Sequence, residues 1–319
     1  MKRTIGLCCW DDDSSVKEKI KKAAPEFEVI TLGRNCTAEE LERCEILFGV
    51  PDPKWIPAAK NLRWLHTQSA GVDRYFRNGA TFPENVMLTN SSGAFGVAIS
   101  EHLLTMAMML QHRMTEYWLN QQKHVWRSVG KVGSLYGSDV AVIGLGNIGS
   151  NFAERVYQLG AHVTGVVRTE KKERPPHVDK LLTQGDINEA IRDADIVALC
   201  LPETAETIGI FGQERFEALK SGAILLNVGR GSAIDEGALI RALESGRLGG
   251  AGLDVTATEP LPKDSKLWDF ENVIITPHVS GDDSLALTGE LIAARFIKYL
   301  GDYIAGRPFE RVVDKRAGY

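Results

Sequence analysis

Short apolar runs and amphipathic stretches alternate along almost the whole chain. Residues 4–8, 27–31, 46–50, 62–66 and 86–89 are apolar or β-branched runs of strand length. Between them, residues 14–22 read as an exposed helix, Thr37 and Glu40 make a capping-box pattern that opens a short helix, and residues 53–59 suggest another. Strands separated by helices imply a parallel sheet, so the first ninety residues predict a small α/β domain of their own.

Residues 97–113 predict one long, mostly apolar helix that bridges to a second domain and helps to form a dimer. The adjacent Glu101 and His102 on it do not make a catalytic pair, because neighbouring helical residues point in different directions. The methionines 106, 108 and 109 suit core or subunit packing. Beyond a glycine-rich approach, Val140-Ala141-Val142-Ile143 reads as a strand buried on both faces, and residues 150–159 form a helix that Gly160 ends. Further strands are predicted at 161–167, 195–201, 223–228, 249–255 and 273–276, with helices around 216–219 and 236–245 and one capped by Asp186. That count suffices for a complete dinucleotide-binding sheet.

The turn between the first two strands of this half carries G-x-G-x-x-G at Gly144, Gly146 and Gly149. In such a turn the first glycine permits the bend, the second lets a pyrophosphate approach, and the third lets helix and strand pack closely. Uncapped N–H groups and the helix dipole then attract the phosphates. A glycine-rich structural turn is the bland alternative, and the flanking strands and helix argue against it. At the end of the second strand, where NAD enzymes place an acidic residue for the ribose hydroxyls, stand Arg168 and Thr169. A guanidinium beside a hydroxyl suits the 2′-phosphate of NADP, with Lys171, Lys172 and Arg174 adding charge. NADP(H) is therefore expected ahead of NAD(H); the other reading is a solvated basic loop with Glu170 or Glu173 on the ribose of NAD.

At 319 residues there is room for about two domains. A net charge of −5 provides no electrostatic footprint for nucleic acid or an anionic membrane, so the expected partner is a small molecule. No run approaches the roughly 18 apolar residues of a spanning helix. The apolar segment after the basic start ends too early at residues 11–13 for a signal peptide, which makes a cytoplasmic protein the expectation. The five cysteines, 8, 9, 36, 44 and 200, lack metal-ligand spacing and read as reduced thiols.

Several loops at strand ends could carry chemistry. Ser69, Ala70 and Gly71 lie in a small-residue loop whose backbone N–H groups could hold a carboxylate, although an unliganded turn has the same composition. Arg230, Glu259 and His278 each follow a strand in the second half, and parallel strands deliver such residues to one rim. Singly, each could be an ordinary surface or loop residue.

Together, Gly144-x-Gly146-Asn147-Ile148-Gly149, Asn227-Val228-Gly229-Arg230-Gly231, Gly252-Leu253-Asp254-Val255 with Glu259-Pro260, and Thr276-Pro277-His278 resemble the signatures of the D-isomer-specific 2-hydroxyacid dehydrogenases. The resemblance covers essentially the whole chain. It implies an α/β fold of two Rossmann-like or flavodoxin-like parallel-sheet domains separated by a cleft. The substrate domain would be discontinuous, residues 1–96 with 285–319, around a dinucleotide-binding domain of residues 97–284. It implies that a 2-oxo acid is reduced to the D-2-hydroxy acid, or the reverse, by an NAD(P)-dependent homodimer. Arg230 would bind the carboxylate and polarise the keto oxygen, His278 would protonate the nascent alkoxide, and Glu259 would hydrogen-bond that ring in support of its protonated form. Asp254 would orient the nicotinamide carboxamide, Gly144, Gly146, Asn147, Ile148, Arg168, Thr169, Leu201, Pro202, Val228 and Gly229 would line the cofactor, and Ser69, Ala70 and Gly71 would meet the substrate. Residues around Leu47, Phe48 and Tyr75 and the segment after Gly281 would shape a pocket whose 2-oxo acid, whether glyoxylate, hydroxypyruvate, branched-chain or aryl, stays open. The same fold also serves as a nucleotide-sensing corepressor that binds proteins, and phosphite-type dehydrogenases share these motifs; the His278 and Glu259 pair favours 2-hydroxy acid chemistry over formate oxidation.

Overall fold

The structure, a computed structural model, describes residues 3–8, 14–33, 36–76, 82–170, 173–282 and 285–315. The chain divides into one unit of residues 1–95 and 283–319 and a second of residues 96–282. The first unit begins with β1 (Arg3–Cys8), α1 (Ser14–Ala23), β2 (Phe27–Thr31), α2 (Ala38–Glu42), β3 (Ile46–Gly49), β4 (Trp64–Thr67) and β5 (Met87–Asn90). The second opens with α3 (Gly96–Gln111) and α4 (Met114–Gln122), then β6 (Asp139–Ile143), α5 (Asn147–Gln158), β7 (His162–Val167) and β8 (Lys180–Thr183). It continues through α6 (Ile187–Ile191), β9 (Ile196–Leu199), α7 (Gln213–Ala218), β10 (Ala223–Asn227), α8 (Glu236–Glu244), β11 (Leu248–Leu253) and β12 (Val273–Ile275). The last helix, α9 (Ala286–Ile304), belongs to the first unit.

Both sheets are parallel throughout. The first runs β2-β1-β3-β4-β5 and the second β12-β11-β10-β9-β6-β7-β8. Each order reverses direction once, between β1 and β3 in one sheet and between β6 and β9 in the other, and such switch points are where open α/β sheets bind ligands. The predicted unbroken apolar strands follow from this arrangement, since helices cover both faces and the central β6, β9 and β10 are almost wholly buried.

Several elements depart from the sequence reading. The helix expected at 97–113 is present as α3 and ends at Gln111, but α4, which was not expected, follows directly after Arg113, which takes a left-handed conformation (φ 53°). The Arg113 guanidinium grips Glu116 at 2.6 Å and fixes that corner. Residues 53–58 form a short 3-10 helix rather than a longer α-helix, and Pro57 inside it lacks the N–H an α-helical interior needs. Asp186 does not cap the helix after it; its carboxylate instead accepts hydrogen bonds from the backbone and hydroxyl of Thr183. The edge strand β8 was not foreseen, since its face is only half-buried. Cys8, Cys36 and Cys44 are buried free thiols and Cys200 is a half-buried one, while Cys9 lies outside the described residues. Among the described residues no helix is long and apolar enough to cross a membrane.

The first unit is held by an aromatic stack between its sheet and α9. Phe296 lies parallel to Phe48 with centroids 4.0 Å apart and stacks on Trp64 at 5.2 Å. Beside them His66 has no exposed surface. Its ring nitrogens lie 2.7 Å from the Thr89 hydroxyl and 3.1 Å from that of Ser91. Burial, reinforced by the Arg295 charge, pushes its pKa down from 6.5 to about 3. The folded state therefore holds His66 neutral while the unfolded chain protonates it, so this contribution is complete above pH 6.5 and is lost as pH falls toward 3. The loss has a slope of up to about 1.4 kcal/mol per pH unit. Urea denaturation at pH 7 and pH 5 checks this: His66→Gln, which keeps polar groups against both hydroxyls, should remove on the order of 2 kcal/mol of the pH dependence. An identical dependence in the variant would refute it.

Candidate active site

The turn from β6 to α5 is built by its glycines. A Cβ on Gly149 would sit 2.0 Å from the Gly144 carbonyl oxygen, so only glycine lets the first turn of α5 close over the end of β6. No side chain caps the N-terminus of α5, which leaves the leading N–H groups of Asn147 and Ile148 to the dipole end of a twelve-residue helix. A Cβ on Gly146 would meet nothing within 4 Å, so the space above the turn is open. Uncapped donors facing open space fit a dinucleotide pyrophosphate.

Around this turn the neighbouring strands deliver the other expected cofactor residues. Leu201 and Pro202 follow β9, and the buried Val228 and Gly229 follow β10. Arg168 and Thr169 stand exposed at the end of β7. Arg168 is paired: its Nε lies 3.2 Å from one Glu206 oxygen and its Nη2 3.3 Å from the other. The Arg174 guanidinium donates to the Val178 carbonyl rather than adding to this cluster. Lys171 and Lys172 lie outside the described residues.

On the other side of the switch point the ends of β10, β11 and β12 are packed together. Asn227, fully buried, accepts from Gly229 N–H at 3.0 Å and donates to the Arg230 carbonyl at 3.0 Å, clamping the turn that presents Arg230. Arg230 Nη1 donates to the Gly229 carbonyl at 2.8 Å. A Cβ on Gly231 would fall 1.9 Å from the Thr256 carbonyl oxygen, so the arginine turn presses directly on the loop that carries Glu259. Glu259 takes the Thr256 N–H on one oxygen, at 3.2 Å, and lies 2.9 Å from His278 Nδ1 through the other.

His278 itself is held at φ 56°, a left-handed conformation uncommon for a residue with a Cβ, and its backbone N–H donates to the Asp254 carbonyl at 2.8 Å. Asp254, 1% exposed, braces that loop: Thr276 Oγ1 donates to it at 2.6 Å, Val279 N–H at 3.0 Å, and both the N–H and hydroxyl of Ser280 to its other oxygen. Both carboxylate oxygens thus hold the histidine loop in place. With Nδ1 tied to a carboxylate, Nε2 is the ring nitrogen left to meet a substrate.

In the first unit the loop after β4 has its carbonyls occupied. Ser69 Oγ donates to the Gly71 carbonyl at 2.7 Å, Asn90 donates to that of Ala70 at 2.8 Å, and Ser91 N–H to that of Ser69 at 3.1 Å. The Ser69 N–H is spent on Thr67. The N–H groups of Ala70 and Gly71 take no such partner among the described residues, so this loop can hold an anion through those two donors, with Ser69 as its brace. Leu47, Phe48 and Tyr75 are at most 1% exposed and belong to the core rather than to a pocket wall.

Sequence reasoning set His102 aside and missed Glu206. His102 Nε2 lies 3.0 Å from Thr276 Oγ1 and supports the histidine loop from α3, while its neighbour Glu101 turns to Arg155 at 3.7 Å. The partners of His102 and Glu206 are 174 and 38 residues away, so no local pattern could have exposed them.

Residues 104–280, more than half of the chain, match the family described as D-isomer specific 2-hydroxyacid dehydrogenase, NAD binding domain. The D-3-phosphoglycerate dehydrogenase of Archaeoglobus fulgidus is 31% identical over 265 residues, 83% of this chain and 47% of that protein. The chain thus spans about half the length of the D-3-phosphoglycerate dehydrogenases it matches. A D-isomer specific 2-hydroxyacid dehydrogenase family protein from Aeromonas salmonicida has a similar structure, with a TM-score of 0.87 at 32% identity over 99% of this chain and 100% of that one. The NADPH-dependent glyoxylate/hydroxypyruvate reductase of Sinorhizobium meliloti, solved in complex with NADP and sulfate, gives 0.84 at 26% identity over 100% of each chain.

Proposed function

The chain belongs to the D-isomer-specific 2-hydroxyacid dehydrogenase family, and from that premise we propose that it reduces a small 2-oxo acid to the D-2-hydroxy acid, and runs the reverse, with NADPH ahead of NADH. The observation that carries the reading is the His278 and Glu259 hydrogen bond, 2.9 Å long, on a loop pressed against the turn of Arg230. A histidine with one nitrogen on a carboxylate and the other open is an arrangement for moving one proton.

When bound, the nicotinamide supplies hydride chemistry at the substrate carbon. The chain's own residues do the rest. Arg230 holds the substrate carboxylate and draws electron density toward the keto oxygen, with a planar fork that stays charged at every working pH. In the first unit, the N–H groups of Ala70 and Gly71 offer a pair of donors suited to an anion. As the keto oxygen gains charge, His278 Nε2 gives it a proton, and Glu259 steadies the charged ring; in the oxidative direction the proton returns to Nε2. Asp254, Thr276 and His102 keep the loop in the conformation this transfer needs. The uncapped start of α5 takes the pyrophosphate, and Arg168 with Thr169 takes the 2′-phosphate. Trp118, Trp126 and Tyr136, respectively 60%, 103% and 82% exposed, are large apolar side chains that a homodimer would cover.

Purified protein given NADPH with glyoxylate, hydroxypyruvate, a branched-chain and an aryl 2-oxo acid in turn should consume the cofactor with at least one of them. Loss of NADPH absorbance that no member accelerates would sink the proposal, and cofactor-driven association without turnover would point to a nucleotide sensor instead.

A further inference from the structure

Resting on that reading, we infer that Glu206 sets the balance between NADPH and NADH by holding the guanidinium that a 2′-phosphate needs. Arg168 directly follows β7 and Glu206 lies in the loop after β9, the two strands that flank β6 in the sheet. Their ion pair therefore reaches across the mouth of the nucleotide turn. Both carboxylate oxygens take part, at 3.2 and 3.3 Å, against two adjacent nitrogens of the guanidinium. This is the fork geometry by which arginine also grips a phosphate, so carboxylate and phosphate compete for the same donors.

The loop places Glu206 there in advance. Its neighbour Thr207 is buried, donates through Oγ1 to the Pro202 carbonyl at 2.7 Å and accepts the Thr204 N–H at 2.8 Å. That knot fixes the backbone from which Glu206 projects. With the pair intact the charge of Arg168 is already balanced, and the site tolerates a ribose that carries only hydroxyls. A 2′-phosphate either displaces the carboxylate or shares the guanidinium with it, and both outcomes keep two anions close together.

Arg168 and Glu206 are both 55% exposed, so the effect is moderate. Opening an exposed pair costs up to about fivefold in an equilibrium constant, and like-charge repulsion through water adds a similar or smaller factor. Glu206→Gln should therefore tighten NADPH binding about 5- to 10-fold and change NADH by less than about twofold, with the gain shrinking as salt is raised.

Calorimetric titration of the full chain with NADPH and NADH tests this on the wild type, Glu206→Gln and Arg168→Gln, with no turnover needed. Adenosine 2′,5′-bisphosphate against AMP isolates the added phosphate, and only the former should gain from Glu206→Gln. An unchanged NADPH-to-NADH ratio in Glu206→Gln, with both nucleotides still bound, overturns the inference and leaves the dehydrogenase reading standing. Unaltered NADPH affinity in Arg168→Gln overturns it as well, because Arg168 would not then be the phosphate anchor. A wild-type protein that binds neither nucleotide removes the dehydrogenase reading and this inference together.

Discussion

Replacing His278 with Gln is expected to lower kcat for 2-oxo acid reduction by about 100- to 10,000-fold, the range over which a positioned general acid contributes. KM and the affinity for NADPH should move little, because the ring acts on the oxygen only as charge develops there. The backbone complicates the substitution: His278 sits at φ 56°, and a change of side chain could relax the loop. Asn tolerates the left-handed region better than most residues, so His278→Asn separates the two effects. Equal losses in both variants assign the defect to the missing imidazole. Recovery of rate in the Asn variant would make the histidine a backbone device and remove it from proton transfer. Glu259→Gln keeps a side chain of the same shape beside Nδ1 and should cost less than either.

Removing the guanidinium in Arg230→Ala is expected to lower kcat/KM by about two to four orders of magnitude, from the loss of two charge-assisted hydrogen bonds worth about 1.5–3 kcal/mol each. Unlike the histidine change, it should raise KM as well, because the arginine holds the substrate before the reaction begins. Arg230→Lys restores charge without the fork and should recover only part of the loss. The clamp from Asn227 acts on the backbone of the turn, so the variants should fold. A KM that stays at the wild-type value in Arg230→Ala would mean that the carboxylate is bound elsewhere.

How much of this was legible in the sequence depends on how local each cause is. The β-branched run at Val140 to Ile143, the glycine at each end of α5 and the capping box at Thr37 and Glu40 each act within a few residues, and the elements they predict are present. The corner that turns the chain into α4 depends on the Arg113 guanidinium reaching Glu116 and the Val129 carbonyl, which periodicity does not register. The residues expected to line a substrate pocket show the same limit. Leu47, Phe48 and Tyr75 have the right apolar chemistry, but α9 returns from the far end of the chain and covers Phe48 with Phe296.

The sequence by itself determined the parallel α/β character and the glycine turn between β6 and α5, and it marked Arg230, Glu259 and His278 as the candidates for chemistry, because backbone propensity and motif spacing are written in consecutive residues. Only the tertiary structure decided that Glu259 reaches His278, that both Asp254 oxygens accept from the histidine loop, and that Arg168 is already held by Glu206. Those contacts join residues between 19 and 38 positions apart, on different strand ends. Sheet order and register, not any local signal, bring such groups within reach of one another.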